Sequence, residues 1–142
     1  MTTKPYRRSV YYYETDRMGI VHHSNYIRWM EEARVDYMAR QGLPYDRMEK
    51  TGIIMPVTGV DCRYVTSLVF GDELEVHVRV TAFNGVRLSY GYEIRRASDG
   101  ALAAKGESGH CFLNEETRRP LSLKRCAPEL YEKILALVEK TE

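Results

Sequence analysis

Hydrophobic and polar residues alternate most regularly in the middle of the chain. From Glu73 to Thr81, Leu74, Val76, Val78 and Val80 interleave with Glu73, Glu75, His77 and Arg79. A period of two predicts a strand with one buried face and one wetted face. Asn84-Gly85 follows, a pair suited to a tight hairpin because both residues tolerate positive φ. Beyond it Leu88, Tyr90, Tyr92 and Ile94 alternate with Arg87, Ser89, Glu93 and Arg95, which predicts the partner strand. Asp99-Gly100 marks a second tight turn, and residues 101–113 read as a third strand. An earlier strand is expected over residues 57–65, set apart by Gly71-Asp72, and a first strand over residues 6–13. The pattern amounts to a mostly antiparallel sheet of about five strands.

Between the first two strands the period changes. Tyr26, Met30, Ala33 and Tyr37, with Trp29 and Met38 beside them, recur at spacings of three and four, while Arg28, Glu31, Glu32, Asp36 and Arg40 fall mainly between. This predicts a helix with one apolar face. Ser24 or Asn25 is placed to cap its start by accepting a backbone N–H bond, and Gly42 and Pro44 to end it. A second, short helix is expected over residues 128–140. One long helix followed by a meander is an α+β layout, in which the sheet can wrap around the helix. The small size and the tyrosines on the strands suggest that further apolar surface is covered by association.

At 142 residues, the whole chain, 1–142, is expected to form a single domain. Lys plus Arg number 21 and Asp plus Glu 20, so the basic excess of a nucleic-acid binder is missing. The cysteines, Cys62, Cys111 and Cys126, are sparse and odd in number, a usage that fits a reducing cytoplasm better than a disulfide framework or a structural zinc site. The first ten residues carry no apolar signal core. The longest uncharged apolar-leaning stretch, residues 51–60, is far short of the ~20 residues a membrane span needs. These features predict a cytoplasmic protein with no membrane span.

The familiar nucleophile and phosphate motifs are missing. Gly106-Glu107-Ser108-Gly109-His110 resembles a serine-hydrolase elbow but lacks its last glycine and lies in a strand pattern. His22 and His23 are adjacent, so their side chains are expected to diverge on a helix, as loop and cap residues and not metal ligands. The informative segment is the loop from Tyr13 to Tyr26, which runs into the start of the amphipathic helix. A helix N-terminus presents unpaired N–H groups and partial positive charge, which favour a developing oxyanion. A carboxylate just upstream can attack an electrophile or activate water there, and Asp16 and Glu14 are the candidates. Residues 14 and 16 would share a face of a strand ending here, so alternation does not choose between them. Gly19 allows close approach of the backbone to a ligand. The plainer reading of Asp16 is a turn or capping acid.

Asp16-x-x-Gly19-Ile-Val21-x-His23-x-x-Tyr26, followed by Trp29 and Glu32-Ala-Arg34, resembles the signature of the 4-hydroxybenzoyl-CoA thioesterase family. It is more closely similar to the bacterial branch of short acyl-CoA thioesterases associated with the Tol-Pal system. The resemblance extends over the helix, the later strands and Arg119-Pro120-Leu121. It implies a hotdog fold, an antiparallel sheet wrapped around a central helix, and a homodimer with a continuous sheet, leaving open whether dimers pair into tetramers. It also implies hydrolysis of an acyl-CoA thioester without metal or other cofactor. Asp16 would be nucleophile or general base, the backbone N–H of His23 would polarise the thioester carbonyl, and the His23 side chain is also implicated. Gly19, Val21, His22 and Tyr26 would lie at the substrate. An aromatic residue usually occupies the place of His22, which bears on acyl preference. Arg87, just after the Asn84-Gly85 turn, stands where the family often carries basic residues near the CoA phosphates; otherwise it is a solvated strand-edge arginine. His110 reads as a sheet residue, Tyr64, Tyr90 and Tyr92 as core or dimer contacts, and Trp29 as part of the helix's buried face. Two rivals to a thioesterase remain: a non-catalytic acyl-thioester binding or scaffold protein, and a hotdog dehydratase.

Overall fold

The alternating segments fold as strands, and the three-and-four spacing folds as one long helix. The protein's structure, a computed structural model, describes residues 4–138. In chain order the elements are β1 (Tyr6–Ser9), a 3-10 turn (Tyr12–Glu14), α1 (Ser24–Arg40), α2 (Tyr45–Lys50), β2 (Ile53–Ile54), β3 (Val57–Tyr64), β4 (Glu73–Phe83), β5 (Arg87–Arg96), β6 (Leu102–Cys111), β7 (Leu113–Asn114), α3 (Leu123–Cys126) and α4 (Pro128–Leu135). Five strands form one antiparallel sheet in the order β1-β4-β5-β6-β3, with α1 packed against it as the central helix. This is the hotdog arrangement that the resemblance implies. β2 and β7 make a separate two-stranded pair.

The described residues fall into two compact units, one of residues 4–37, 61–78 and 92–106, the other of residues 38–60, 79–91 and 107–138. In the first unit α1 buries Tyr26, Trp29, Met30 and Ala33, the spacing that marked its apolar face. β1 pairs antiparallel with β4, Tyr6 opposite Val76 and Ser9 opposite Glu73. Leu74 and Val76 of β4, Tyr92 and Ile94 of β5, and Ala103 and Ala104 of β6 are buried as well. In the second unit Met38, Val80, Leu88, Tyr90, Phe112, Leu123 and Ile134 form the core. The end of α1 is closed there by the Leu43 N–H on the Met38 carbonyl, at 2.9 Å.

Several boundaries differ from expectation. The first strand stops at Ser9, not at residue 13, because Val10 turns inward with its N–H on the Asp72 carbonyl at 2.8 Å and residues 11–14 wind into a turn around the buried Glu14. The cap side chains act differently too. Ser24 and Asn25 lie inside α1; the Ser24 N–H is taken by His22 Nδ1 at 3.2 Å, and Asn25 Nδ2 donates to the Glu14 carbonyl at 2.8 Å. The hairpin at Asn84-Gly85 forms with positive φ at Gly85 alone, while Asn84 Oδ1 accepts the N–H groups of Val86 and Arg87. The strand expected to reach residue 113 breaks at the buried Phe112. The C-terminal helix ends at Leu135, after which Val138 bridges to Val80; residues 139–140 of the expected helix lie outside the described residues.

Candidate active site

The loop joining β1 to α1 is a small closed hairpin. The His22 N–H meets the Glu14 carbonyl at 2.9 Å, Thr15 pairs with Val21, and the Asp16 N–H meets the Ile20 carbonyl at 2.9 Å. The tip turns through Gly19, whose N–H returns to the Asp16 carbonyl at 3.0 Å and whose φ of 79° suits a residue without Cβ. Asp16 therefore sits at the tip, and His23 follows the base, immediately before Ser24 opens α1. The Val21 N–H bonds the Leu68 carbonyl at 2.9 Å, which ties this hairpin to the segment after β3.

A cavity of about 280 Å³ opens beside the hairpin, lined by Asp16, Val21, His23, Tyr26, Tyr64 and neighbouring loop residues. Asp16 Oδ1 accepts the Met18 N–H at 2.8 Å, and it is the one oxygen of this carboxylate engaged among the described residues. The backbone N–H of His23 has no hydrogen-bond partner among the described residues. The Tyr64 hydroxyl donates to the His23 carbonyl at 3.0 Å. Partial burial, together with the neighbouring Cys62, pushes the Tyr64 phenol up to about 12, so it remains a donor throughout the neutral range. Burial likewise pushes the Cys62 thiol up, which leaves little nucleophilic thiolate there. Tyr26 packs edge-on against Tyr64 with centroids 5.0 Å apart. The cavity is thus lined by Asp16, by two tyrosines and by His23, the residue just before the 17-residue α1, whose N–H has no partner among the described residues.

Asp16, Val21, His23 and Tyr26 are brought together here. Gly19 shapes the same loop without lining the cavity, and Arg87, which opens β5 in the other unit and is solvent-exposed, is not among the lining residues. His22 also lies outside the lining, and the expectation that it diverges from His23 is incorrect. Their rings stack with centroids 4.2 Å apart because both residues precede the helix. Tyr90 and Tyr92 are core residues, whereas Tyr64 is 48% exposed and faces the cavity; its place just before an irregular segment was the one available signal. Ser108 and His110 lie buried in β6, 2.8 Å apart, in a strand and not at an elbow. A larger cavity of about 630 Å³ lies in the second unit among Leu43, Met48, Ile53, Leu121 and Leu130, with Arg47 and Lys133. No motif in the sequence pointed to it, and it does not hold the loop carboxylate, so size alone does not mark the site.

A family model described as the thioesterase-like superfamily matches residues 10–134. The chain belongs to that superfamily. It is 36% identical over 120 residues to the putative acyl-CoA thioesterase YneP of Bacillus subtilis, covering 84% of this chain and 86% of that protein. A crystal structure of a DHNA-CoA thioesterase from Staphylococcus aureus superposes with a TM-score of 0.88 at 34% identity, covering 94% of this chain and 89% of that one. Identity to the acyl-CoA thioesterase YbgC of Helicobacter pylori is lower, 24% over 139 residues, covering 93% of this chain and 99% of that protein. The likeness therefore runs across the thioesterases of the superfamily and does not single out the Tol-Pal-associated branch. The family is enzymatic. Among the described residues no helix is long and apolar enough to cross a membrane.

Proposed function

We propose that the protein hydrolyses an acyl-CoA thioester to the free acid and CoA at the cavity between Asp16 and the start of α1. The observation that carries this reading is one cavity lined both by Asp16, whose carboxylate is only partly engaged, and by His23, whose N–H has no partner among the described residues. The thioester oxygen is held by the His23 N–H, where the partial positive charge of the helix end favours the oxyanion. Asp16 then acts in one of two ways. It attacks the carbonyl carbon, expelling CoA thiolate, and water cleaves the resulting anhydride; or it takes a proton from water as that water attacks. In both the sulfur leaves with the electron pair of the C–S bond and is protonated to the thiol. Val21 and Tyr26 flank the acyl group, and Gly19 lets the loop close against it. The His23 side chain, stacked on His22, contacts the substrate at the same site, and Arg87 contributes to the CoA phosphates. The acting form is a homodimer, the state the resemblance implies, working in the reducing cytoplasm that the sparse cysteines fit.

The relatives named as acting on acyl-CoA or on DHNA-CoA define the substrates to try. Steady-state hydrolysis across short aliphatic and aromatic CoA thioesters tests the reading. Turnover of at least one, saturating with concentration, is expected. Binding without turnover of any thioester would instead identify an acyl-thioester binding protein.

A further inference from the structure

Glu14 is a buried acid that the chemistry above leaves unused, 4% exposed. Three donors converge on its two carboxylate oxygens. Arg8 Nη2 and the Tyr11 N–H meet Oε1 at 2.6 and 2.8 Å, and the Trp29 indole N–H meets Oε2 at 2.9 Å. Its carbonyl accepts twice more, from the His22 N–H at 2.9 Å and from Asn25 Nδ2 at 2.8 Å. One residue thereby joins β1, the 3-10 turn, the base of the hairpin and both of the first turns of α1. His22 and Asn25, which it grips, flank His23.

Stability alone is a poor account of this arrangement. Desolvating a carboxylate and a guanidinium costs about as much as their attraction returns, and apolar replacements of such pairs are often no less stable. What a fully satisfied buried network does supply is a fixed geometry. Building on the thioesterase reading, we infer that Glu14 is a positioning residue for that reaction, holding the His23 N–H and the Asp16 hairpin in register. Glu14→Gln keeps the shape but replaces one acceptor by an amide donor. Facing Arg8, the Tyr11 N–H and the Trp29 indole, that amide sets donor against donor at one oxygen position. Small misplacements of reacting groups cost rate more than binding.

The test compares wild type, Glu14→Gln, Asn25→Ala and Asp16→Asn on the best CoA thioester, with Trp29 emission and amide exchange at His22 recorded for each folded protein. Trp29 is the one tryptophan in the sequence, so its emission reports on the Oε2 bond directly. Glu14→Gln is expected to lower kcat by about 10- to 100-fold with KM nearly unchanged, to shift the Trp29 emission and to speed exchange of the His22 N–H. Asn25→Ala, at a half-buried helix start, is expected to lower kcat several-fold by the same route, and it decides the matter alone if Glu14→Gln does not fold. A merely structural Glu14 would lower the melting temperature and leave kcat per folded molecule at the wild-type value. That result, with wild type active and Asp16→Asn inactive, would overturn this inference and spare the thioesterase reading. An inactive wild type would overturn both.

Discussion

Glu14 and Asp16 carry the same carboxylate two positions apart and meet opposite surroundings. The first is enclosed by Arg8, Trp29 and the Tyr11 N–H; the second lies at a hairpin tip beside a cavity with one oxygen engaged. Enclosure fixes a carboxylate as an acceptor, whereas partial exposure leaves it able to reach a substrate or a water. Arg87 is a third charged residue with a testable task. It is exposed and makes no ion pair among the described residues, so a phosphate would be its first charged partner. Arg87→Ala is expected to raise KM for CoA thioesters several-fold with kcat little changed, most clearly at low salt, where exposed charges are least screened. An unchanged KM in the folded variant would remove Arg87 from the site. Asp16, Val21, His23 and Tyr26 were legible because the motif places them along one loop and helix start. The separate task of Glu14 was not, since alternation put residues 14 and 16 on one face and only the 3-10 turn parts them. Tyr64 was hidden for a related reason: a tyrosine near a strand end reads equally as core or as cavity wall.

At the scale of elements, β4, β5 and α1 were legible because each repeats one period over nine or more residues, whereas β6 was legible mainly through the Asp99-Gly100 turn before it. The short elements α2, α3 and the pair β2 and β7 span two to six residues. They exist through contacts made only in the folded chain, such as Ile53 opposite Asn114, and no local pattern announces them. β6 shows how a motif can mislead. Gly106, which opens the elbow-like run, is there because a Cβ would strike the Asp61 carbonyl of β3 and crowd the Met30 methyl of α1. The glycine serves strand packing and not catalysis. Gly106→Ala is expected to destabilise the protein by about 1–3 kcal/mol, the usual cost of overpacking, in chemical denaturation. A midpoint equal to wild type would show that β3 can retreat freely.

For the molecule as a whole, β3 is the feature that calls for a partner. It is an edge strand of eight residues, seven of them exposed, and Val57, Val60 and Tyr64 are 50%, 43% and 48% exposed. A long exposed edge offers unpaired backbone groups to another chain, and a second copy related by a two-fold axis would cover like with like. The continuous sheet that the resemblance implies would form there. A dimer is therefore expected as the smallest active species, measured by light scattering on active fractions at micromolar concentration. An active monomer under those conditions would contradict it.

The central claim is that the Asp16 carboxylate does the chemistry, and Asp16→Asn tests it most directly. The substitution keeps size and shape, leaves the His23 N–H in place and removes the charge needed for attack or for water activation. On the best CoA thioester, kcat is expected to fall by about 100-fold or more, with binding of the thioester retained and Glu14→Gln less severe. A folded Asp16→Asn protein that keeps most of its kcat would contradict the account.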